Sequence, residues 1–132
     1  MSQANVATIE RLYEVWNREG GMLAGLPMFA PDCEFVNPET AIESGTHQGR
    51  AGFAKALEAV DAAFERYVHE PQQVIEAGDD KVLAYVVFRA SGRDSGVPVE
   101  LPEQHVWTLR DGEITRFEWF HDEPAARRAA GL

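Results

Sequence analysis

The residues best suited to chemistry in this 132-residue chain lie close together, in residues 103–122. Glu103, Gln104 and His105 are consecutive, and His121 comes near the end of the segment. An unperturbed imidazole titrates near neutral pH, so His105 is the strongest candidate for a general acid or base. Gln104 is not an acid, but its amide can donate a hydrogen bond to a ligand oxygen. The segment therefore predicts a site that holds a polar atom and transfers a proton.

The same segment predicts a β-hairpin that positions these groups. Two runs of alternating character flank the turn sequence Asp111-Gly112, which is a strong local hairpin signal. Because side chains of a strand alternate between faces, Gln104 and His105 must lie on opposite faces, and only one of them enters a pocket. The residues alone leave that choice open. On the returning strand, alternation places Thr115, Phe117, Trp119 and His121 on one face and Ile114, Arg116, Glu118 and Phe120 on the other.

Apolar periodicity organises the rest of the chain into helices followed by strands. The pattern predicts helices at residues 5–19, 22–29, 50–67 and 124–130. It predicts strands at residues 33–37, 72–77, 81–90, 97–109 and 113–121, with a loop at residues 38–50. Helices that precede an antiparallel meander indicate a single α+β domain over residues 1–132. A twisted sheet curled over the helix at residues 50–67 makes a half-open cone, and its mouth is the natural place for a pocket.

Composition and charge exclude several classes of partner. The formal net charge is −10 and the 12 basic residues are scattered, which disfavours nucleic acid and anionic membranes. The longest apolar run, residues 82–88, is too short to span a membrane. A single cysteine, Cys33, and the lack of a secretion signal predict a cytoplasmic protein.

No metal ion and no cofactor are predicted. The four histidines, at positions 47, 69, 105 and 121, are not paired at helix or strand ligand spacing, and Cys33 has no partner cysteine. The sequence also lacks a nucleotide-binding glycine pattern and a nucleophile-elbow motif.

Four stretches of the chain resemble the nuclear transport factor 2-like superfamily, in the branch that includes ketosteroid isomerases, SnoaL-like polyketide cyclases and limonene-epoxide hydrolases. They are the opening helix IERLYEVWN, the segment FAPDCEFVNP, the approach to the second long helix SGTHQGRAGF, and HVWTLRDGEITRFEWFHD. The resemblance covers nearly the whole chain. It implies a cone-shaped α+β fold in which a curved antiparallel sheet wraps around a long helix.

The resemblance also implies roles for individual positions. The tyrosine that holds the developing oxyanion in ketosteroid isomerases matches Tyr13, and the second acid of that pair matches Gln104, ahead of His105. The isomerase base matches Asn37, whose amide cannot take a proton at neutral pH. The acid that cyclases and epoxide hydrolases carry on the last strand matches Trp119. On this basis, the acids of the characterised relatives are not retained.

Alternation and resemblance together predict an apolar pocket for a small, carbonyl-containing or ring-shaped molecule. Its expected lining comprises Tyr13, Trp16, Phe35, Asn37, Phe53, Leu57, Tyr85, Val106, Phe117 and Trp119, with His121 at the strand end. One hypothesis is a non-catalytic binding domain. The other is an isomerase, cyclase or dehydratase that holds the oxygen with Tyr13 and Gln104 or His105. Its acid or base would be one of three histidines, His105, His121 or His47.

The side of the sheet away from the pocket predicts a homodimer. Trp107 and Phe120 are expected to lie on faces opposite to the pocket. A band of such residues left in water would promote aggregation. A second copy packed on the convex face of the sheet would cover it.

Overall fold

The computed structural model of the protein describes residues 2–19, 21–41 and 43–132. The chain forms helix α1 (Ser2–Glu19), a 3₁₀ helix (Met22–Met28), strands β1 (Phe29–Asn37) and β2 (Gly45–Gln48), helix α2 (Gly49–Ala63), strands β3 (Phe64–Ala77), β4 (Lys81–Gly92), β5 (Pro98–Arg110) and β6 (Glu113–Phe120), and helix α3 (Glu123–Ala129). The predicted α+β class is confirmed. None of the described helices is long and apolar enough to cross a membrane.

The six strands form one sheet in the order β2-β1-β6-β5-β4-β3. Neighbouring strands are antiparallel except for the parallel pair of β1 and β6. The two outermost strands, β2 and β3, do not pair with each other, so the sheet stays open. Its concave face holds the main core and its convex face carries a smaller apolar cluster.

Helices α1 and α2 fill the concave face because each has one apolar stripe. On α1, Ile9, Leu12 and Trp16 recur at helical spacing and are fully buried. On α2, Phe53 and Leu57 do the same. Helix α1 packs against β3 and β4, and α2 packs mainly against β1. Both predicted amphipathic helices are therefore present, and both bury the predicted face.

The predicted hairpin is confirmed as the pair of β5 and β6. Asp111 and Gly112 both have positive φ angles, 52° and 81°. A two-residue turn with both residues in that region matches the right-handed twist of the flanking strands. One irregularity falls between the pairs Thr108 with Arg116 and Leu109 with Ile114. This bulge turns Ile114 into the concave core, where it is fully buried, so its predicted placement with Arg116 is wrong.

Three regions differ most from the sequence prediction because long-range pairing overrides local pattern. Helix α2 ends at Ala63, and residues 64–67 begin β3, which pairs with β4 from Phe64 opposite Gly92. Strand β1 starts at Phe29, four residues earlier than predicted. Residues 45–48 form strand β2 at the sheet edge, although their polar sequence GTHQ carries no strand signal.

The centre of the convex face is covered by α3. Ala126 and Ala130 pack on Leu83 and Val106 of the sheet, and Phe120 lies half-buried beside them. Trp107 does not belong to this face. It is fully buried in the concave core, because register in the hairpin places it opposite Phe117. The prediction that Trp107 forms part of the convex surface is therefore wrong.

Candidate active site

The hairpin decides which of the adjacent polar residues faces inward. His105 pairs with Trp119 and Trp107 pairs with Phe117 across β5 and β6, and paired residues share a face. Trp107 and Phe117 stack with ring centroids 4.0 Å apart in the concave core. His105 is therefore on the inner side, and so is Glu103, two residues earlier.

Gln104 lies on the other side of the sheet. Its strand neighbours are Tyr85 on β4 and Phe120 on β6, both in the convex cluster. Gln104 therefore does not hold a ligand oxygen in the concave core, the role that its match to the second acid of the isomerases implied. The inward residues on either side of it are Glu103, which does carry a carboxyl group, and His105.

Glu103, His105 and Tyr13 form a hydrogen-bonded chain that runs from the sheet to α1. His105 Nε2 lies 2.8 Å from Glu103 Oε1, and His105 Nδ1 lies 2.7 Å from the Tyr13 hydroxyl. Trp107 Nε1 donates to the same hydroxyl at 3.0 Å. All four side chains are buried, with Glu103 the most exposed at 7%.

The donors and acceptors of this chain fix where its protons lie. Trp107 can only donate, so the Tyr13 oxygen accepts from it and the Tyr13 O–H donates to His105 Nδ1. The proton of neutral His105 is then on Nε2, which donates to Glu103 Oε1. Both ring nitrogens of His105, the Tyr13 hydroxyl and Trp107 Nε1 are satisfied in this arrangement. The hydrogen bonds from Tyr13 through His105 thus orient the Glu103 carboxyl group from the side of the core.

Burial sets the charge states of the cluster. It raises the pKa of Glu103, because an ionised carboxylate is poorly solvated there, although His69 and His121 oppose the change. It lowers the pKa of His105 to about 3, so the imidazole is neutral at pH 7. It also raises the pKa of Tyr13 well above its usual value of 10.0. Burial therefore shifts Glu103 toward its protonated form, while His105 and Tyr13 are neutral at pH 7.

A cavity of about 260 Å³ opens in front of Glu103. Its wall is mostly apolar and includes Phe35, Leu57, Val60, Phe64, Phe88, Leu101, Phe117 and Trp119. Glu103 and His69 supply polar atoms next to the buried cluster, while Glu43 and the exposed His121 lie toward solvent. The cavity thus combines an apolar wall with a few convergent polar groups, as small-molecule sites do.

Asn37, Phe117, Trp119 and His121, all in the predicted lining, do line this cavity. Tyr13, Trp16 and Phe53 do not line it, because they are fully buried in the core behind it. Tyr85 and Val106 lie on the convex face instead. There the Tyr85 hydroxyl donates to Glu123 and Arg127 donates to Tyr85, while Val106 packs under α3.

Asn37 links the end of β1 to two other parts of the cavity wall. Its Nδ2 donates to the Glu43 carbonyl oxygen at 2.7 Å, and its Oδ1 accepts from Trp119 Nε1. Both ends of the amide are therefore used to hold the wall together. These two bonds fix the orientation of the amide, and each end keeps one further donor or acceptor site.

His69 is a site residue that sequence reasoning did not select. It lies on β3 with its side chain 4% exposed, lines the cavity, and is close to both Glu103 and His105. The alternation of β3 that turns Tyr67 and His69 inward could have identified it. That alternation was not recognised because residues 64–67 were predicted as helix. Glu103 was noted as a polar residue of the hairpin, but its role depends on the register that the pattern left open.

The cluster also has the donor set of a possible metal site. Ligand atoms of His69, Glu103 and His105 all lie within 4.8 Å of one another, which is the one such group in the described ranges 2–19, 21–41 and 43–132. Two imidazoles and a carboxylate suit a divalent transition metal. However, both ring nitrogens of His105 already make hydrogen bonds, and an ion would have to break the bond to Glu103.

Comparison with known proteins identifies the family of this chain. The sequence model of the SnoaL-like domain matches residues 9–117. The structure of TerC co-crystallised with polyporic acid is similar with a TM-score of 0.78 and 27% identity, covering 98% of this chain and 99% of that one. No curated protein matches significantly.

Two further solved structures share the fold. An NTF2-like protein of unknown function from Burkholderia pseudomallei K96243 has a TM-score of 0.78 at 23% identity, with 98% of each chain covered. A candidate SnoaL-like polyketide cyclase from Jannaschia sp. CCS1 has a TM-score of 0.76 at 20% identity, covering 99% of this chain and 94% of that one. The predicted cone fold is thereby confirmed, and the chain belongs to the SnoaL-like domain family.

Proposed function

We propose that this SnoaL-like domain catalyses proton transfer on a small, uncharged, ring-shaped molecule that has a carbonyl group, with Glu103 as the proton acceptor. The observation that carries the proposal is the position of Glu103, a buried carboxyl group that faces an apolar cavity and is held by His105. Its raised pKa makes it a stronger base than a surface glutamate once it is ionised. Tyr13 and His105 act as positioning residues.

The cavity wall supports an uncharged, largely apolar ligand. Among the described residues that line it, none is Lys or Arg, and Glu43 and Glu103 would repel an anion. Phe35, Phe117 and Trp119 contribute aromatic side chains to the wall, which favours contact with a flat apolar ring. The cavity volume of about 260 Å³ favours a molecule of one or two rings.

The relatives support a small organic ligand. TerC was crystallised with polyporic acid, and the Jannaschia protein is described as a candidate polyketide cyclase. An isomerase, cyclase or dehydratase each begins by moving a proton next to a carbonyl or hydroxyl group. One base at the inner end of the cavity therefore suits all three reactions.

Non-catalytic binding is the second candidate, and Asn37 favours it. The resemblance places the isomerase base at this position, and here the side chain is an amide whose two ends are tied to Glu43 and Trp119. If Glu103 does not replace that base, the cavity only holds its ligand. Ligand-induced stabilisation without turnover would then be the whole activity.

Exchange of carbon-bound hydrogen tests the proposal without knowledge of the natural substrate. The protein is incubated in D₂O with 2-tetralone, a small bicyclic ketone, and loss of the signal of its α-hydrogens is followed by NMR. Glu103→Gln removes the base but keeps the shape. Glu118→Gln, on the outer face of the same hairpin, is the matched control.

The wild-type protein and Glu118→Gln should accelerate exchange over buffer, and Glu103→Gln should reduce the acceleration about 10²–10⁴-fold. The wild-type rate should rise with pH through a pKa above the ordinary glutamate value, because the ionised carboxylate is the active form. A rate that is the same in Glu103→Gln would contradict the proposal. Stabilisation by the ketone with no exchange would select the non-catalytic alternative.

A further inference from the structure

His69 is a buried polar side chain whose function the hydrogen-bonded chain of Glu103, His105 and Tyr13 does not explain. It is 4% exposed, yet it lines the cavity beside Glu103. Its Nδ1 atom is buried and has no hydrogen-bond partner within the part of the chain that the structure describes. A buried polar atom without a partner is unfavourable, and the second ring nitrogen, Nε2, makes no hydrogen bond to these described residues either, so the imidazole on the cavity wall has no protein partner.

The backbone of His69 is held in place by two hydrogen bonds to a side chain of α1. The Asn17 amide on α1 donates to the His69 carbonyl oxygen at 2.7 Å and accepts from the His69 N–H at 2.9 Å. The imidazole itself packs against aromatic rings, with Trp16 at 5.0 Å and Phe88 at 5.1 Å between centroids. The ring is thus positioned by packing and by the hydrogen bonds of its backbone. Its ring nitrogens are not used for this purpose.

The charge state of His69 fits a hydrogen-bonding role. Burial, together with the nearby His105, lowers its pKa to about 3, although Glu103 opposes the change. The imidazole is therefore neutral at pH 7 and has one N–H donor and one acceptor nitrogen. A neutral donor can bind a carbonyl or hydroxyl oxygen without placing an isolated charge in an apolar site.

The distance to Glu103 defines the kind of group that fits between the two side chains. Ligating atoms of His69 and Glu103 lie within 4.8 Å of each other. In an enolisable ketone, the oxygen and the hydrogen on the neighbouring carbon are separated by less than this distance. One functional group can therefore face both side chains at once.

We propose that His69 binds the oxygen of the ligand at the inner end of the cavity, and that the ligand is a neutral ring compound with a carbonyl or hydroxyl group there. The inference rests on the proposed function in taking Glu103 as the proton acceptor. When Glu103 removes the α-proton, the two electrons of the C–H bond form the C=C bond of the enolate. The enolate oxygen then accepts a hydrogen bond from the His69 N–H.

Binding of phenol, compared with that of toluene, tests this role without requiring turnover. The two probes have similar shapes, and phenol alone offers an oxygen. The variants are His69→Phe, which keeps an aromatic ring without nitrogen, and His69→Gln, which restores a donor. His47→Phe is the matched control, because His47 lies on β2 outside the cavity lining. Affinities are measured by titration calorimetry on variants shown to be folded by circular dichroism.

Wild type and His47→Phe should bind phenol more tightly than toluene. His69→Phe should lose about 10-fold or more in phenol affinity and little in toluene affinity, and His69→Gln should recover part of the loss. Equal phenol affinity in wild type and His69→Phe would overturn the inference. So would a wild-type protein that does not bind phenol or prefers toluene.

Two further readouts keep the inference separate from the proposed function. In wild type, phenol should shift the ¹⁵N NMR signals of the His69 ring, and unchanged signals would refute the role even if His69→Phe fails to fold. Phenol binding that depends on His69, with no ketone exchange, would overturn the acid–base function and leave the ligand contact standing. Exchange that needs Glu103 but is unaffected in His69→Gln and His69→Phe would overturn the role of His69 and leave the acid–base function standing.

Discussion

At the scale of single residues, the chemistry at the inner end of the cavity depends on which side chains there donate and which accept a proton. Glu103 faces the cavity, and His105 and Tyr13 stand behind it in a chain whose donors and acceptors all match. Spacing on α1 predicted correctly that Tyr13 turns inward. It did not show that Tyr13 is sealed from the cavity, because that depends on Trp107 and His105, which come from the far end of the chain.

Tyr13→Phe should destabilise the protein. It removes the acceptor for Trp107 Nε1 and the donor to His105 Nδ1, and leaves both atoms buried and unpaired. The free energy of unfolding in urea should fall by about 2 kcal/mol or more. Tyr85→Phe is the control: its hydroxyl bonds to Glu123 and Arg127 at the surface, and its loss should change stability by about 1 kcal/mol or less. Equal losses in the two variants would show that the buried chain contributes nothing special.

The local sequence of β5 did not determine which of its two faces is the inner one. Alternation required that Gln104 and His105 point to opposite faces, and that requirement was met. Which face is the inner one was decided by contacts that the local pattern does not contain. Trp107 stacks on Phe117 in the core, while Val106 packs under α3 on the other side.

At the scale of elements, the cavity depends on how the end of β1 is fastened to its surroundings. The Asn37 side chain bonds both the Glu43 carbonyl oxygen and Trp119 Nε1. The sequence predicted a strand end here from Asn37 and Pro38, and that is confirmed. It could not predict the partners, since Trp119 is 82 residues away.

Asn37→Asp should weaken this fastening in a pH-dependent way. An ionised carboxylate still accepts from Trp119, but it would face the Glu43 carbonyl oxygen without a proton to donate. The protonated form restores the donor, so folding should raise the pKa of the new carboxyl. Stability should therefore be close to wild type at acid pH and be lost as pH rises through that pKa.

Urea unfolding of Asn37→Asp and wild type at pH 4.5 and pH 7.5 measures this effect. The difference between the two proteins should be larger at pH 7.5, by about 1 kcal/mol or more. A difference that is independent of pH, or larger at pH 4.5, would mean that the bond to Glu43 is not made in solution.

At the scale of the whole molecule, the order of elements and the amphipathic stripes were enough to predict an α+β cone. The parallel pairing of β1 with β6 and the long reach of β3 were not predictable, because they join segments distant in sequence. These same pairings assemble the site. They bring Asn37 from β1, His69 from β3 and Glu103 from β5 to one cavity.

The buried histidines should make the whole fold sensitive to acid. Both His69 and His105 have pKa values of about 3 in the folded protein against an ordinary value of 6.5. The unfolded chain therefore takes up protons first, and stability is lost as pH falls from about 6.5 toward 3. Glu103, with its raised pKa, acts in the opposite sense above 4.5. Below about pH 6, where both histidines of the unfolded chain are largely protonated, their effect exceeds that of the one carboxyl.

Urea titrations between pH 5 and 6 should show the free energy of unfolding falling on acidification, more steeply toward pH 5, because the two histidines of the unfolded chain take up protons that the folded chain does not bind. His69→Phe removes one of the two histidines, so its free energy of unfolding should depend less on pH than that of wild type. A wild-type curve without slope in this range would show that the two imidazoles are not buried as neutral groups.

A homodimer through the convex face remains a prediction, although Trp107 no longer supports it. Helix α3 covers the apolar centre of that face, and Arg116 with Glu34 and Glu118 forms an ionic surface beside it. A dimer through this surface should be sensitive to salt. Sedimentation velocity at micromolar concentration should give twice the 14.7 kDa mass at low salt and a smaller dimer fraction in 1 M NaCl. A monomer at low salt would refute the prediction.

The acid–base role depends on Glu103 being a buried carboxyl group that keeps its proton to a higher pH than an ordinary glutamate. The most direct test is ¹³C NMR of protein labelled at the glutamate carboxyl carbon, titrated with pH and assigned by comparison with Glu103→Gln. The pKa of Glu103 should be clearly above its ordinary value of 4.5, because burial disfavours the ionised form. A pKa at or below 4.5 would show that the carboxylate is solvated or paired with a charge, and it would contradict the acid–base role proposed for this site.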